Sequence, residues 1–291
     1  MKELVLSVAV CALAALPASA QVDMRCRLEN SRTVLFEPAI LNLDIINNTG
    51  NVLDFSGAMP NAHLAFDIEQ SPGVVVPPTG KPLFAQGIVI KAGDTFTGKV
   101  NLQAAYKVTD TGPYTITTRV EWGGKVFISP KLFLDVLPGL EIARLSAGVP
   151  GEPDATRIYT LRTLNRDRVE VMFLRIDDDD RGVCYGVFEL GRIVRLYEPK
   201  LQVDEAGNVH VLHQSGPWQF THSVFSPRGE PVVQEVYSGE GSAMGLKRGE
   251  GGQLAVEGGQ LYVPGEEEDL EESDDDVSIP DSSEPDDRVS K

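Results

Sequence analysis

The stretch Ala92-Gly93-Asp94-Thr95-Phe96-Thr97-Gly98-Lys99-Val100-Asn101-Leu102 decides how the chain is read. A Gly-Asp turn opens onto residues in which Thr95, Thr97 and Lys99 stand against Phe96, Val100 and Leu102, the pattern of a strand with one wet face. Outward from it the same pattern repeats. Strands are predicted near Thr33–Glu37, Ala39–Ile46, Val52–Phe55, Leu64–Glu69, Gly87–Lys91, Thr95–Leu102, Tyr114–Trp122 and Val126–Val136, with turn chemistry at Asn47-Asn48-Thr49-Gly50, Ser71-Pro72-Gly73 and Gly123-Gly124. No segment sustains a 3.6-residue period, so the fold class expected is all-β.

Composition agrees and excludes other classes. The 291 residues include 28 Gly and 19 Pro, above the roughly 12% usual for the two together, as a turn-rich β chain requires. With 42% hydrophobic residues the chain has apolar side chains enough for real cores. A formal net charge of −17 and the lack of any basic run argue against nucleic acid, whose phosphates must be neutralised by Lys and Arg, and against an anionic membrane surface.

Within the first half, Asp110-Thr111-Gly112-Pro113-Tyr114-Thr115-Ile116 resembles the D-x-G-x-Y corner of immunoglobulin-like domains. Together with Leu41–Gly50 and Ala92–Thr95, the order is similar to bacterial immunoglobulin-like modules such as macroglobulin-type domains and the intracellular proteinase inhibitor family. The resemblance covers about residues 28–140 and implies an N-terminal immunoglobulin-like β-sandwich over 21–137. It also implies a structural tyrosine corner made by Asp110, Gly112 and Tyr114. Ile116 stands where an antibody-type domain has its second core cysteine, so no inter-sheet disulfide of that type is available. Sandwiches of this kind host adhesion, inhibition and spacing alike.

The Pro- and Gly-rich residues 138–156 read as a linker, and 157–264 as a second antiparallel β domain. Its strands are expected near Arg157–Leu164, Val169–Ile176, Val183–Leu190, Lys200–Val203, Val209–Gln214, Gln219–Phe225 and Val232–Tyr237. Two near-copies of one turn, Glu250–Leu254 and Glu257–Leu261, bracket a short strand, Gly-Gly supplying positive φ. The stretch Val203–Val211 with Phe225–Gly229 is similar to β-propeller repeats, but about 110 residues hold too few blades of ~40–45 residues to close a ring. Each half has strands for its own core, so cleavage near 147–155 is expected to release two resistant fragments.

Candidate chemistry is sparse. In Ile176-Asp177-Asp178-Asp179-Asp180-Arg181-Gly182, Asp177, Asp179 and Gly182 fit positions one, three and six of a calcium loop. Arg181 and Phe188 then fall at positions five and twelve, so the full pattern fails and a solvated hairpin loop is the simpler reading. Asp177 and Asp179 remain the metal candidates, with Ca2+ the ion; no other cofactor is expected. Of four histidines, His210, His213 and His222 fall on one predicted hairpin, where alternation lets His222 share a face with only one of the others. Beside Trp218 and Phe220 they read as partly buried, hydrogen-bonded side chains rather than a zinc site, which needs further ligands. No G-x-S-x-G or H-E-x-x-H occurs, and no cysteine sits in a protease signature. No catalytic residue is assigned.

The first twenty residues read as a signal peptide: Lys2, an apolar run from Leu4 to Leu16, Pro17, and Ala18-Ser19-Ala20 as an A-x-A cleavage site. The apolar run is too short to span a bilayer. The mature chain is then secreted or periplasmic, beginning at Gln21, without a membrane span. Cys11 leaves with the leader, and Cys26 and Cys184 stand either as a disulfide or as two free thiols. Residues 265–291 read as a disordered acidic tail, with 13 acidic residues against Arg288 and Lys291 from Glu266 on. The function expected is an exported, non-enzymatic binding or structural protein of the cell envelope or secretome, with a protein or glycan partner. The alternatives are a proteinase-inhibitor-like module, using Val74-Val75-Val76-Pro77-Pro78-Thr79-Gly80 as its loop, and a secreted hydrolase acting on glycans.

Overall fold

The computed structural model describes residues 21–56 and 59–263. The expected leader at 1–20 and the expected tail at 265–291 lie outside the described residues. The chain is all-β, folded almost wholly into antiparallel sheets.

In the N-terminal half, β1 (Val22–Leu28) is followed by β2 (Arg32–Val34), β3 (Ile40–Asn47), β4 (Leu53–Asp54), β5 (Ala62–Gln70), β6 (Val74–Val75), β7 (Val89–Ile90) and β8 (Thr95–Asn101). A single helical turn α1 (Leu102–Ala105) precedes β9 (Gly112–Trp122), β10 (Lys125–Ile128) and β11 (Leu132–Leu137). Strands β1-β3-β8 make one sheet and β2-β11-β9-β5-β6 a second, with β10 paired to β9. All pairings are antiparallel except β2 with β11. Alternation drives the packing: Leu41, Leu43 and Ile45 of β3 point into a core shared with Phe66, Ile68, Ile116 and Val120 of the second sheet. The Tyr114 hydroxyl donates to the Asp110 carbonyl at 2.7 Å, tying the start of β9 to the loop before it. The stretch Val126–Val136 is two strands rather than one, because Pro130 has no N–H to continue the ladder. The α1 turn, capped by the Asn101 side chain, is too short to show a period in the sequence.

In the C-terminal half, β12 (Leu140–Val149), β13 (Glu152–Arg166), β14 (Val169–Asp178) and β15 (Val183–Arg192) form a meander. Next come β16 (Lys200–Val203), β17 (Val209–Gln214), β18 (Gln219–Phe225), β19 (Pro231–Gly239), the hairpin β20 (Gly245–Arg248) and β21 (Leu254–Glu257), and β22 (Gly259–Leu261). The five-stranded sheet β16-β17-β18-β19-β22 packs on the meander through Val209, Val211 and Phe225 against Tyr159, Leu161, Leu174 and Ile176. Its opposite face is covered by the β20–β21 hairpin, through Leu212, Phe220 and Met244 with Leu246 and Val256. The repeated Gly turns bracket β21 as expected. Gly258 has φ +90°, and a Cβ there would lie 2.0 Å from the Ala243 carbonyl oxygen.

The expected linker at 138–156 is not a spacer. Only Pro138 and Gly139 separate β11 from β12, and residues 147–155 belong to the β12–β13 hairpin. The glycines and prolines there supply turns, while a bulge between Glu141 and Ala143 shifts the register by one residue. The halves also share a buried junction. Val34 and Phe36 pack on Leu164, Val171, Phe173 and Val187 of the meander's outer face. Phe36 holds the left-handed region at φ 72°, rare for a bulky residue, with the Arg175 guanidinium 5.0 Å above its ring. Arg166 donates to both oxygens of Glu37 at 2.8 Å. Burial nevertheless pushes the Glu37 carboxyl up, against the pull of the Val34 N–H and of Arg166. The halves are therefore in contact and not held apart by a spacer, and they meet through a charged pair removed from water.

Candidate functional site

Three regions carry the chemistry-bearing side chains. In the aspartate run, Asp177 and Asp178 end β14 and so point to opposite sides of it. Arg175 binds Asp177 through Nε at 2.7 Å and Nη2 at 2.8 Å. Asp178 turns inward, accepting from Arg157 Nη1 at 2.9 Å and from the N–H groups of Asp180 and Arg181 at 3.1 and 2.9 Å. The Arg181 N–H leads the effects that hold its carboxyl below the usual range. Asp179 is exposed. The two calcium candidates, Asp177 and Asp179, thus do not converge, and no group of three or more metal-ligating side chains forms among the described residues.

Instead Asp178 and Asp180 open onto a groove of about 500 Å3 shared with Glu152, Asp154, Arg181 and Arg228. Behind Asp178 lies Arg157, 1% exposed, whose Nε donates to the Pro227 carbonyl and Nη2 to the Tyr185 hydroxyl, both at 3.1 Å. A buried guanidinium is tolerated because its donors are met, and it cements the loop end of the sandwich. As the first residue of a predicted strand, Arg157 carries no sequence signal of burial.

The histidines form the second region. Leu212 lies opposite His222, so His210 and His222 share the face covered by β20–β21 and His213 lies on the other. His210 Nε2 is 3.3 Å from Asp204 Oδ2, and its Nδ1 is 3.1 Å from His222 Nε2. With Nε2–H of each ring as donor, the chain runs His222 to His210 to Asp204 and leaves His222 Nδ1 as a buried lone pair. Burial pushes His210 down, and His222 down to about 4. His213, against the Arg192 carbonyl at 3.2 Å, is likewise pushed to about 4 by burial. All three are buried, and Trp218, expected beside them, is exposed. The line is two uncharged imidazoles ending on an ionised Asp204, closed off by the hairpin.

The third region went unnoticed in the sequence. On the outer face of the six-stranded sheet, Val126 (55% exposed), Ile128 (64%), Phe133 (70%) and Val75 (69%) are large apolar side chains left in water. Register places them: Ile128 and Ala65 flank Arg119, Val126 and His63 flank Glu121, Phe133 and Glu69 flank Thr115, and Val75 lies beyond Glu69. Arg119 sits among them, donating to Asp67 at 3.1 Å and to Glu121. From Glu121 to Thr115 the row runs ~20 Å at ~3.4 Å per residue. In the candidate inhibitory loop, Val76 and Thr79 donate their N–H groups to Ile68 and Ala105, and Lys107 donates to Pro77. That backbone is bound to the body on one side, and the Val74 and Val75 side chains stay exposed on the edge strand β6.

Cys26 and Cys184 are free thiols in different halves. Cys26 lies 3.1 Å from Thr118 Oγ1 inside the first sandwich, its thiol pushed up by burial. Cys184, on β15 opposite Asp177, packs at the junction and is pushed up to about 11, burial again leading. No helix among the described residues is long and apolar enough to cross a membrane.

No family model matches the chain. No curated protein matches it either. Among solved structures, it is similar to a DUF4784 family protein from Bacteroides caccae, at 8% identity over 80% of this chain and 84% of that one, with a TM-score of 0.19. A likeness so slight says nothing about function.

Proposed function

We propose that the chain is an exported, non-enzymatic binding protein of the cell envelope or secretome, and that it engages a protein partner through the outer face of the six-stranded sheet. The carrying observation is that Val75, Val126, Ile128 and Phe133 are exposed on one open face of the sheet, with Arg119 beside Ile128. Scattered exposed apolar residues need no explanation, but several aligned on one face and rimmed by Asp67, Glu69 and Glu121 have the make-up of an interface. The leader reading of residues 1–20 supports export, and the acidic residues 265–291 support solubility there.

The test is site-directed photocrosslinking in envelope extract of the source cells. A crosslinker at Arg119 is expected to capture one discrete protein adduct, lost when Val126→Thr, Ile128→Thr and Phe133→Thr are combined. An adduct that survives the triple variant, or that forms equally from exposed Arg228, sinks the reading. Stoichiometric inhibition of a secreted protease, or turnover of a polysaccharide by the purified chain, would replace it.

A further inference from the structure

We infer that two copies of this chain pair edge to edge through β1, in an antiparallel two-fold dimer centred on Met24. The inference rests on a different strand from the binding face proposed above, although Val126 and Ile128 of that face also line the groove beside β1; the charge-swap test below acts only on β1.

Strand β1 is an edge: in the sheet β1-β3-β8 its only ladder partner is β3. The side of its backbone left free follows from the ladder. At the ends of the pairing, Asn48 donates its N–H to the Gln21 carbonyl and Glu29 its N–H to the Ile40 carbonyl. In an antiparallel pair, alternate residues direct both backbone groups to the partner. Residues 21, 23, 25, 27 and 29 therefore face β3, and Val22, Met24, Cys26 and Leu28 direct their N–H and C=O groups outward. None of these groups has a hydrogen-bond partner among the described residues.

Proteins block such edges with proline, bulges, very short strands, inward-pointing charges or charged side chains along the edge, and of these β1 carries only the last, of mixed sign, in Asp23, Arg25 and Arg27. Here β1 runs seven residues in unbroken register with β3, contains no proline, and points only Val22, Met24, Cys26 and Leu28 toward the core. Beside it lies an open groove of about 540 Å3, lined by Val22, Met24, Val126, Phe127 and Ile128 among others. Nothing among the described residues fills it, so an incoming strand has room.

The charges select a second copy as the occupant. The outward side chains read Asp23, Arg25 and Arg27. With the two-fold axis through Met24, Val22 meets Cys26 of the other copy and Met24 meets Met24, a ladder of about six backbone hydrogen bonds. In that register each Asp23 lies directly across from Arg25 of the other copy, and Gln21 across from Arg27. Opposite charges at directly facing positions stabilise a cross-strand pair, and like charges there oppose it. The edge is thus complementary to itself, as the same patch on both subunits of a two-fold dimer must be.

Sedimentation equilibrium of the exported chain tests this. The unaltered chain is expected to dimerise at about 100 μM or below. Asp23→Arg alone, or Arg25→Asp alone, places like charges face to face and is expected to weaken dimerisation about tenfold or more. When the two variants are mixed, the introduced arginine of one copy faces the introduced aspartate of the other. The native Arg25 and Asp23 that remain face each other as well, so a heterodimer is expected to return. The double variant Asp23→Arg with Arg25→Asp is expected to dimerise on its own. Both positions are surface sites, and unchanged far-UV dichroism and melting temperature certify the fold of each variant. A monomeric wild-type chain, or a dimer indifferent to the single substitutions, overturns the proposal. So does failure of the mixture to recover.

Discussion

The wet six-stranded sheet and the doubly covered five-stranded sheet are built from strands of similar composition and do opposite things with their polar residues. Along β9, Tyr114, Ile116, Thr118 and Val120 are buried and the residues between them are half-exposed. Along β17 and β18 every residue from Val209 to Gln214 and from Phe220 to Phe225 is buried, including His210, His213, Gln214, Thr221, His222 and Ser223. The difference is one hairpin: β20–β21 lies over the face that would otherwise be solvent. Polar side chains on that face must then find partners inside the protein, and the Asp204–His210–His222 line is how two of them do so. Polarity in a strand therefore signals water only when nothing downstream covers it.

The largest expected effect breaks the comparison directly. Val211 and Leu212 are neighbours on opposite faces of β17, one against the meander and one against the hairpin. Val211→Asp and Leu212→Asp are each expected to cost more than about 4 kcal/mol, since each buries an unpaired charge. Urea unfolding checks it. Tolerance of Leu212→Asp alone would mean that the hairpin is not seated and the sheet is wet after all.

A smaller effect sharpens it. His213 and His222 sit on opposite faces of the covered sheet, and burial lowers both to about 4 from the ordinary 6.5. Between those values the unfolded chain binds protons that the native chain refuses. Stability is thus fully present above about pH 6.5, falls as pH drops toward 4, and levels off below the native value. The loss is on the order of 3 kcal/mol per histidine at most. Urea midpoints measured from pH 7 to pH 4.5 should show it, and His213→Gln should flatten the curve. An unchanged slope in that variant would place His213 in contact with water.

Much of this fold was legible. The strands Lys200–Val203, Val209–Gln214 and Gln219–Phe225 carry their bounds in composition and flanking turns. What escaped did so for physical reasons. β1 alternates Val22, Met24, Cys26 and Leu28 with three charged residues, and a charge-rich segment right after an apolar leader reads as a polar start. β12 carries its Pro and Gly at its ends, where they terminate a strand but look in sequence like a linker. In the aspartate run, which carboxylates meet depends on where β14 ends and the turn begins: Asp178 closes the strand facing inward and the turn brings Asp180, not Asp177, to the groove. The exposed face was hidden differently. Val126, Phe127 and Ile128 are three apolar residues in a row, and which of them faces water is set by the register with β9.

The smallest effect is expected where the exposed face is altered, and its smallness is the informative part. Ile128 and Phe133 are large and apolar, yet each stands mostly in water beside Arg119 and Thr115. Ile128→Thr and Phe133→Thr keep side chains that suit a strand, so neither backbone preference nor core packing should change much. Each is expected to shift unfolding free energy by no more than about 0.5 kcal/mol, against about 3 kcal/mol or more for Phe220→Ala beneath the hairpin. The measurement is a pair of urea curves at pH 7, above the window where the buried histidines titrate. A loss above about 1 kcal/mol at Ile128 or Phe133 would show that the chain itself covers this face. The residues would then be core and not contact surface, and the binding reading would have no site to stand on.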